Sequence, residues 1–141
     1  MRVVFAFFLS LAACGMDEIP PIHDQPDAGL SQDDAAVAAR ITEISCAGTT
    51  LAGRVVIDDM MYKPETISID DGDILQWVNQ DNRDHTVTSG APEADNAGEL
   101  FDSGALATGD VFCLQFEGAA KYTYFCRFHS DEMRDATVTI H

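Results

Sequence analysis

Basic side chains are scarce in this sequence: eight lysines and arginines face twenty-four aspartates and glutamates, for a formal charge of −16. A surface of that sign repels phosphate backbones and anionic headgroups. Nucleic acid is therefore excluded as a partner, and a basic protein or a metal cation fits better. Solubility alone is the plainer account of the charge, and at this point both stand. Long hydrophobic runs are missing too. The apolar run Val3 to Ala13, interrupted by one serine, is too short to cross a bilayer as a stable helix. Cysteine is limited to four residues, with no close pair of the kind a zinc ribbon or a c-type haem site needs. No internal repeat is apparent.

What is there begins with a targeting signal. Met1-Arg2 is a short positive start, the run to Ala13 is apolar, and Ala12-Ala13 are small residues before Cys14. That order is expected of a secretory signal, residues 1–13. Leu11-Ala12-Ala13-Cys14 resembles the bacterial lipobox, in which the cysteine is acylated and becomes the mature N-terminus; multiple acyl chains anchor firmly where one does not. Gly15, rather than Asp, after that cysteine points to the outer membrane, facing the periplasm. Residues 14–40 read as a tether, with Pro20, Pro21 and Pro26 opposing helix and Asp17, Glu18, Asp24, Asp27, Asp33 and Asp34 keeping it solvated.

From Ile41 to His141 the texture changes to short β-type runs between turn residues. Strands are expected at 54–57, 66–69, 74–79, 85–88, 111–116, 121–126 and 137–141. Alternation places Ile67 with Ile69, Leu75 with Trp77, Phe112 with Leu114 and Phe116, Tyr122 with Tyr124 and Cys126, and Val138 with Ile140. Many short strands at this spacing predict an all-β sandwich or barrel with a modest core.

The chemistry gathers in Cys126-Arg127-Phe128-His129, at the end of an alternating strand, with Met133 four residues beyond His129. A sulfur and an imidazole three residues apart can reach one centre. A third strong donor must come from elsewhere, and His85, next to the polar loop Asn79 to Asp84, is the candidate. Two imidazoles, a thiolate and a weak thioether favour copper and suit both of its oxidation states. Singly, each residue is weak: a lone histidine is usually surface, and a lone methionine usually fills core.

These residues, together with Lys63-Pro64-Glu65-Thr66-Ile67, Gly72-Asp73, Trp77-Val78-Asn79, His85-Thr86-Val87-Thr88, Phe101-Asp102-Ser103-Gly104 and Tyr122 to His129, resemble the cupredoxins, especially the plastocyanin, amicyanin and pseudoazurin group. The resemblance implies a Greek-key β-sandwich of about eight strands with one copper near one end. It also implies outer-sphere transfer of one electron between redox protein partners. By position, His85, Cys126 and His129 would be metal ligands. The backbone amide of Thr86 would bond the cysteine sulfur, which tunes potential and geometry. His129 would offer the solvent-facing edge, and Phe128 either an apolar docking patch or core packing.

One departure concerns the axial position. Three residues, Ser130-Asp131-Glu132, separate His129 from Met133, where amicyanins have two and plastocyanins four. Met133 is the expected axial donor, because a weak thioether is usual at such sites; Glu132 is the alternative. With Cys14 assigned to lipid and Cys126 to copper, Cys46 and Cys113 remain. Cys113 alternates away from the core face, and an oxidising compartment favours a Cys46–Cys113 disulfide. The expected function is a monomeric mononuclear blue-copper electron carrier of the cell envelope, bound to the membrane by its lipid alone. Copper trafficking or resistance is the competing function, and a metal-free adhesion sandwich a weaker one. No nucleophile–base pair or second copper motif suggests an enzyme.

Overall fold

The structure, a computed structural model, describes residues 39–141. The signal segment, Cys14 and the tether as far as residue 38 lie outside the described residues. Nine strands follow: β1 (Arg40–Glu43), β2 (Gly53–Asp58), β3 (Met61–Lys63), β4 (Thr66–Ile69), β5 (Ile74–Asn79), β6 (Thr88–Ser89), β7 (Val111–Glu117), β8 (Ala120–Phe125) and β9 (Ala136–Ile140). They make two sheets, in the orders β1-β7-β5-β2-β3 and β4-β9-β8-β6. The β2/β5 and β4/β9 pairs are parallel, and the remaining pairs antiparallel. The chain changes sheet at every step from β3 to β8, five times in all, and stays in one sheet only from β1 to β3 and from β8 to β9. The result is a Greek-key β-sandwich.

Alternation decides what fills it. Leu75 stands opposite Leu114, and Trp77 opposite Phe112. These four and Phe116 are buried on one face of the first sheet. Tyr124, Val138 and Ile140 meet them from the second sheet as part of a single apolar cluster. The Trp77 and Tyr124 rings touch edge to face, 5.5 Å between centroids, and so tie the sheets together. On the opposite face of the first sheet Cys113 pairs with Gln76, and Cys113 is bonded to Cys46, 67 residues away. Closing a loop of that length stabilises by about 4 kcal/mol in the chain-entropy model.

Two strands go beyond the sequence expectation and one is cut short. β1 exposes most of its side chains, so no alternation marks it, and β3 has only three residues. The run expected at 85–88 is not a continuous strand. His85 makes an isolated bridge to Leu106, and pairing resumes only at Thr88. Between them the backbone donors are diverted to side chains: Thr86 N–H to the sulfur of Cys126 at 3.3 Å, and Val87 N–H to Ser103 Oγ at 2.8 Å. A chain that gives its amides to side chains cannot also offer them to a ladder.

Candidate metal centre

The His85 arm is shaped by a buried asparagine. β5 ends at Asn79, whose side-chain NH2 donates to the carbonyls of Arg83 and Leu106, both at 2.7 Å. Its Oδ1 accepts the N–H of Asp81 at 3.0 Å. This folds residues 80–84 into a tight loop and returns the chain beside Leu106. There His85 exchanges two backbone hydrogen bonds with Leu106, at 3.1 and 2.8 Å. The imidazole is fully buried. Its Nε2 lies 3.1 Å from Asp81 Oδ2, and its Nδ1 faces Cys126 Sγ at 3.7 Å. Burial lowers the ring's pKa more than Asp81 raises it, which favours the neutral imidazole a metal requires. Asp81 is itself held below the usual carboxylate range, first by the Met60 N–H and then by Asn82 and His85.

The second arm is the loop after β8. Strand alternation carries Cys126 inward with Tyr124, and the cysteine is fully buried. The loop then bonds to itself: His129 N–H to Cys126 O at 3.3 Å, Met133 N–H to His129 O at 2.8 Å, and Cys126 N–H to Met133 O at 2.9 Å. Residues three and four apart in such a turn share a face, so Cys126, His129 and Met133 gather on one side. His129 Nδ1 lies 3.6 Å from Cys126 Sγ. Met133 is 2% exposed and belongs to the apolar cluster, whereas Glu132 next to it is exposed.

The two arms are stitched together through Thr86. Its N–H donates to the cysteine sulfur, and its hydroxyl accepts the Arg127 N–H at 2.8 Å. That hydroxyl then donates to Thr88 Oγ1, 2.9 Å away, and Thr88 donates to Asp102 Oδ1 at 3.2 Å. Arg127 Nε closes the ring on Asp102 Oδ2 at 2.7 Å. Every bond in the ring points toward the carboxylate, an arrangement in which each strengthens the next. The solvent side is different. His129 is half-buried and borders a shallow groove with Arg83, Asp84 and Phe128, and Phe128 is 55% exposed.

His85, Cys126 and His129 offer three donor atoms within 4.8 Å of one another. A first-row metal about 2.0 Å from a nitrogen and about 2.3 Å from a sulfur separates the two by roughly 3.5–3.7 Å at tetrahedral to trigonal angles. The observed nitrogen–sulfur distances of 3.6 and 3.7 Å fit. Soft sulfur with two imidazoles is a donor set suited to copper. Residues 49–141 match the family model of copper-binding proteins of the plastocyanin/azurin family. The chain belongs to that family. It is a cupredoxin, and its cofactor is copper.

Relatives agree with this placement. A plastocyanin from Scenedesmus fuscus is 27% identical over 85 residues, covering 57% of this chain and 87% of that one. A chloroplastic plastocyanin from Tetradesmus obliquus is 30% identical over 74 residues, or 50% and 51% of the two chains. Among solved structures, a purple cupredoxin from Nitrosopumilus maritimus superposes with a TM-score of 0.54 at 28% identity, covering 63% of this cupredoxin and 99% of that chain. A reduced amicyanin variant gives 0.56 at 21%, covering 73% and 98%, a likeness of fold. Sequence reasoning did not single out Asn79 or Asp81 in this cupredoxin. The signal was a polar loop before His85; what it could not supply was the distant amide of Met60 that Asp81 accepts at 2.9 Å.

Proposed function

We propose that this cupredoxin is a one-electron carrier with a mononuclear type 1 site, its ligands His85 Nδ1, Cys126 Sγ and His129 Nδ1. The observation that carries the proposal is the convergence of two imidazole nitrogens on one buried cysteine sulfur. Copper bound there would supply a one-electron couple between Cu(I) and Cu(II), with no substrate bond made or broken. The chain's own task is to keep its donors still. His85 is fixed by Leu106 and Asp81, the Cys126–Met133 loop by its internal hydrogen bonds, and the sulfur by the Thr86 amide. Met133 is the axial donor in this reading; its burial supports it over Glu132, whose side chain lies in solvent. His129, at the groove beside Phe128, is the route for the electron.

The wider setting is part of the same proposal. Residues 1–13 direct export, and Cys14 carries the lipid that holds the protein in the cell envelope, in the outer membrane facing the periplasm. Residues 14–40 tether a domain of residues 41–141. The Cys46–Cys113 disulfide suits an oxidising compartment, and the charge of −16 suits redox partners with a basic docking surface. The protein acts as a monomer and catalyses no reaction of its own.

Adding Cu(II) to the purified soluble domain tests the proposal. A strong absorption near about 600 nm, the region of the thiolate-to-copper transition of such sites, is expected. Its absence would remove the carrier function. A colourless site that yields its copper readily to a chelator would instead favour trafficking, against which the buried, prearranged donors argue.

A further inference from the structure

Asp81 is better fixed than a loop aspartate needs to be. Its Oδ1 accepts the Asn82 N–H at 2.7 Å, and its Oδ2 accepts the Met60 N–H at 2.9 Å while facing His85 Nε2 at 3.1 Å. Its backbone N–H reaches Asn79 Oδ1 at 3.0 Å and Ile57 O at 3.1 Å, and its carbonyl accepts Thr108 Oγ1 at 2.6 Å. The side chain is 11% exposed. Met60 is delivered to it by the two-residue turn between β2 and β3, in which Asp59 and Met60 have φ of 54° and 57°. Asparagine and glycine are the usual occupants of such a turn. Aspartate is also at home in it, so the unusual residue is Met60, and the turn aims its amide at the carboxylate.

We propose that Asp81 is a positioning residue for the copper site, holding the proton of His85 on Nε2 and lowering the reduction potential of the metal through that imidazole. The inference rests on the copper function proposed above. With Nε2–H committed to the carboxylate, the Nδ1 lone pair is left bare on the side of Cys126. A carboxylate bonded to the far nitrogen also makes the ring a stronger donor. Its negative charge, one ring away from the metal, favours the ion of higher charge. His129 opens onto the groove instead, so the two imidazoles are electronically unequal.

Two measurements test this. In metal-free wild-type protein, nitrogen–proton correlation spectra should show His85 protonated on Nε2, with that proton exchanging slowly and Nδ1 bare. In copper-loaded protein, Asp81→Asn, which keeps the shape and removes the charge, should lower the preference for Cu(II) over Cu(I) about tenfold. For a one-electron couple that is a rise of about 59 mV in potential. Asp81→Glu, which keeps the charge, should stay nearer the wild-type potential than Asp81→Asn does. A His85 proton on Nδ1, or one on Nε2 exchanging as fast as that of an exposed histidine, overturns the proposal even if Asp81→Asn fails to fold. So does an unshifted potential in a folded, copper-loaded Asp81→Asn variant. Wild-type protein that takes up no Cu(II) overturns the copper function itself, which separates the two failures.

Discussion

The two imidazoles of the site are set in opposite ways. His85 is fully buried, bonded front and back by its main chain to Leu106 and at its far nitrogen to Asp81. His129 is half-buried on a loop tied to the rest of the fold through its neighbours Cys126 and Arg127, with its own ring beside the exposed ring of Phe128. The difference separates two requirements of a carrier. One ligand has to be immovable so that the donors do not rearrange between oxidation states; the other has to lie within reach of a partner. Placing rigidity on one side and access on the other satisfies both with a single site.

The sharpest way to break this contrast is to remove each ring in turn. Both His85→Gly and His129→Gly should lose the absorption near about 600 nm. Added imidazole should restore it in His129→Gly, whose vacated space opens to the groove, and not in His85→Gly, where the space is sealed. Equal rescue of the two would abolish the distinction between a sealed and an open ligand. The contrast continues along one loop. Met133→Ala should cost about 2–5 kcal/mol in urea unfolding, the usual cost of emptying a buried methionine position. Glu132→Gln next to it should change stability by less than about 0.5 kcal/mol and leave the spectrum alone. A spectrum that shifts with Glu132 and not with Met133 would reverse their assignment. The smallest effect on stability is expected at the rim: Phe128→Ala should stay within about 0.5 kcal/mol of the parent yet slow electron exchange with a partner protein. Unchanged exchange would mean that this edge is not where partners dock.

How much of this the sequence revealed depends on how far apart the cooperating groups lie. Strands such as β4 and β5 were legible because alternation is local, and the core pairs Leu75–Leu114 and Trp77–Phe112 follow from two such strands lying side by side. His85, Cys126 and His129 were legible as candidates because their side chains bind metals and stand at strand ends. Asp81 was not. In a segment with Asn82 and Asp84 it reads as one more solvated acid. Its role comes from the Met60 amide, 21 residues earlier, and from an asparagine whose amide folds the loop. The interruption of the 85–88 run was hidden for the same reason, since Ser103 and Cys126, which take its amides, lie 16 and 40 residues downstream.

The parallel pairing of β4 with β9 joins Thr66 to Thr137, 71 residues apart. Contacts of such high contact order form slowly, because the loop must close before any pairing rewards it. The donor loop hangs between β8 and β9, so it is drawn into position only when β9 docks. The thiolate of Cys126 therefore meets the ring of His85, 41 residues away, only once the sandwich has closed, and the full set of three donors belongs to the folded domain and to no local segment of it.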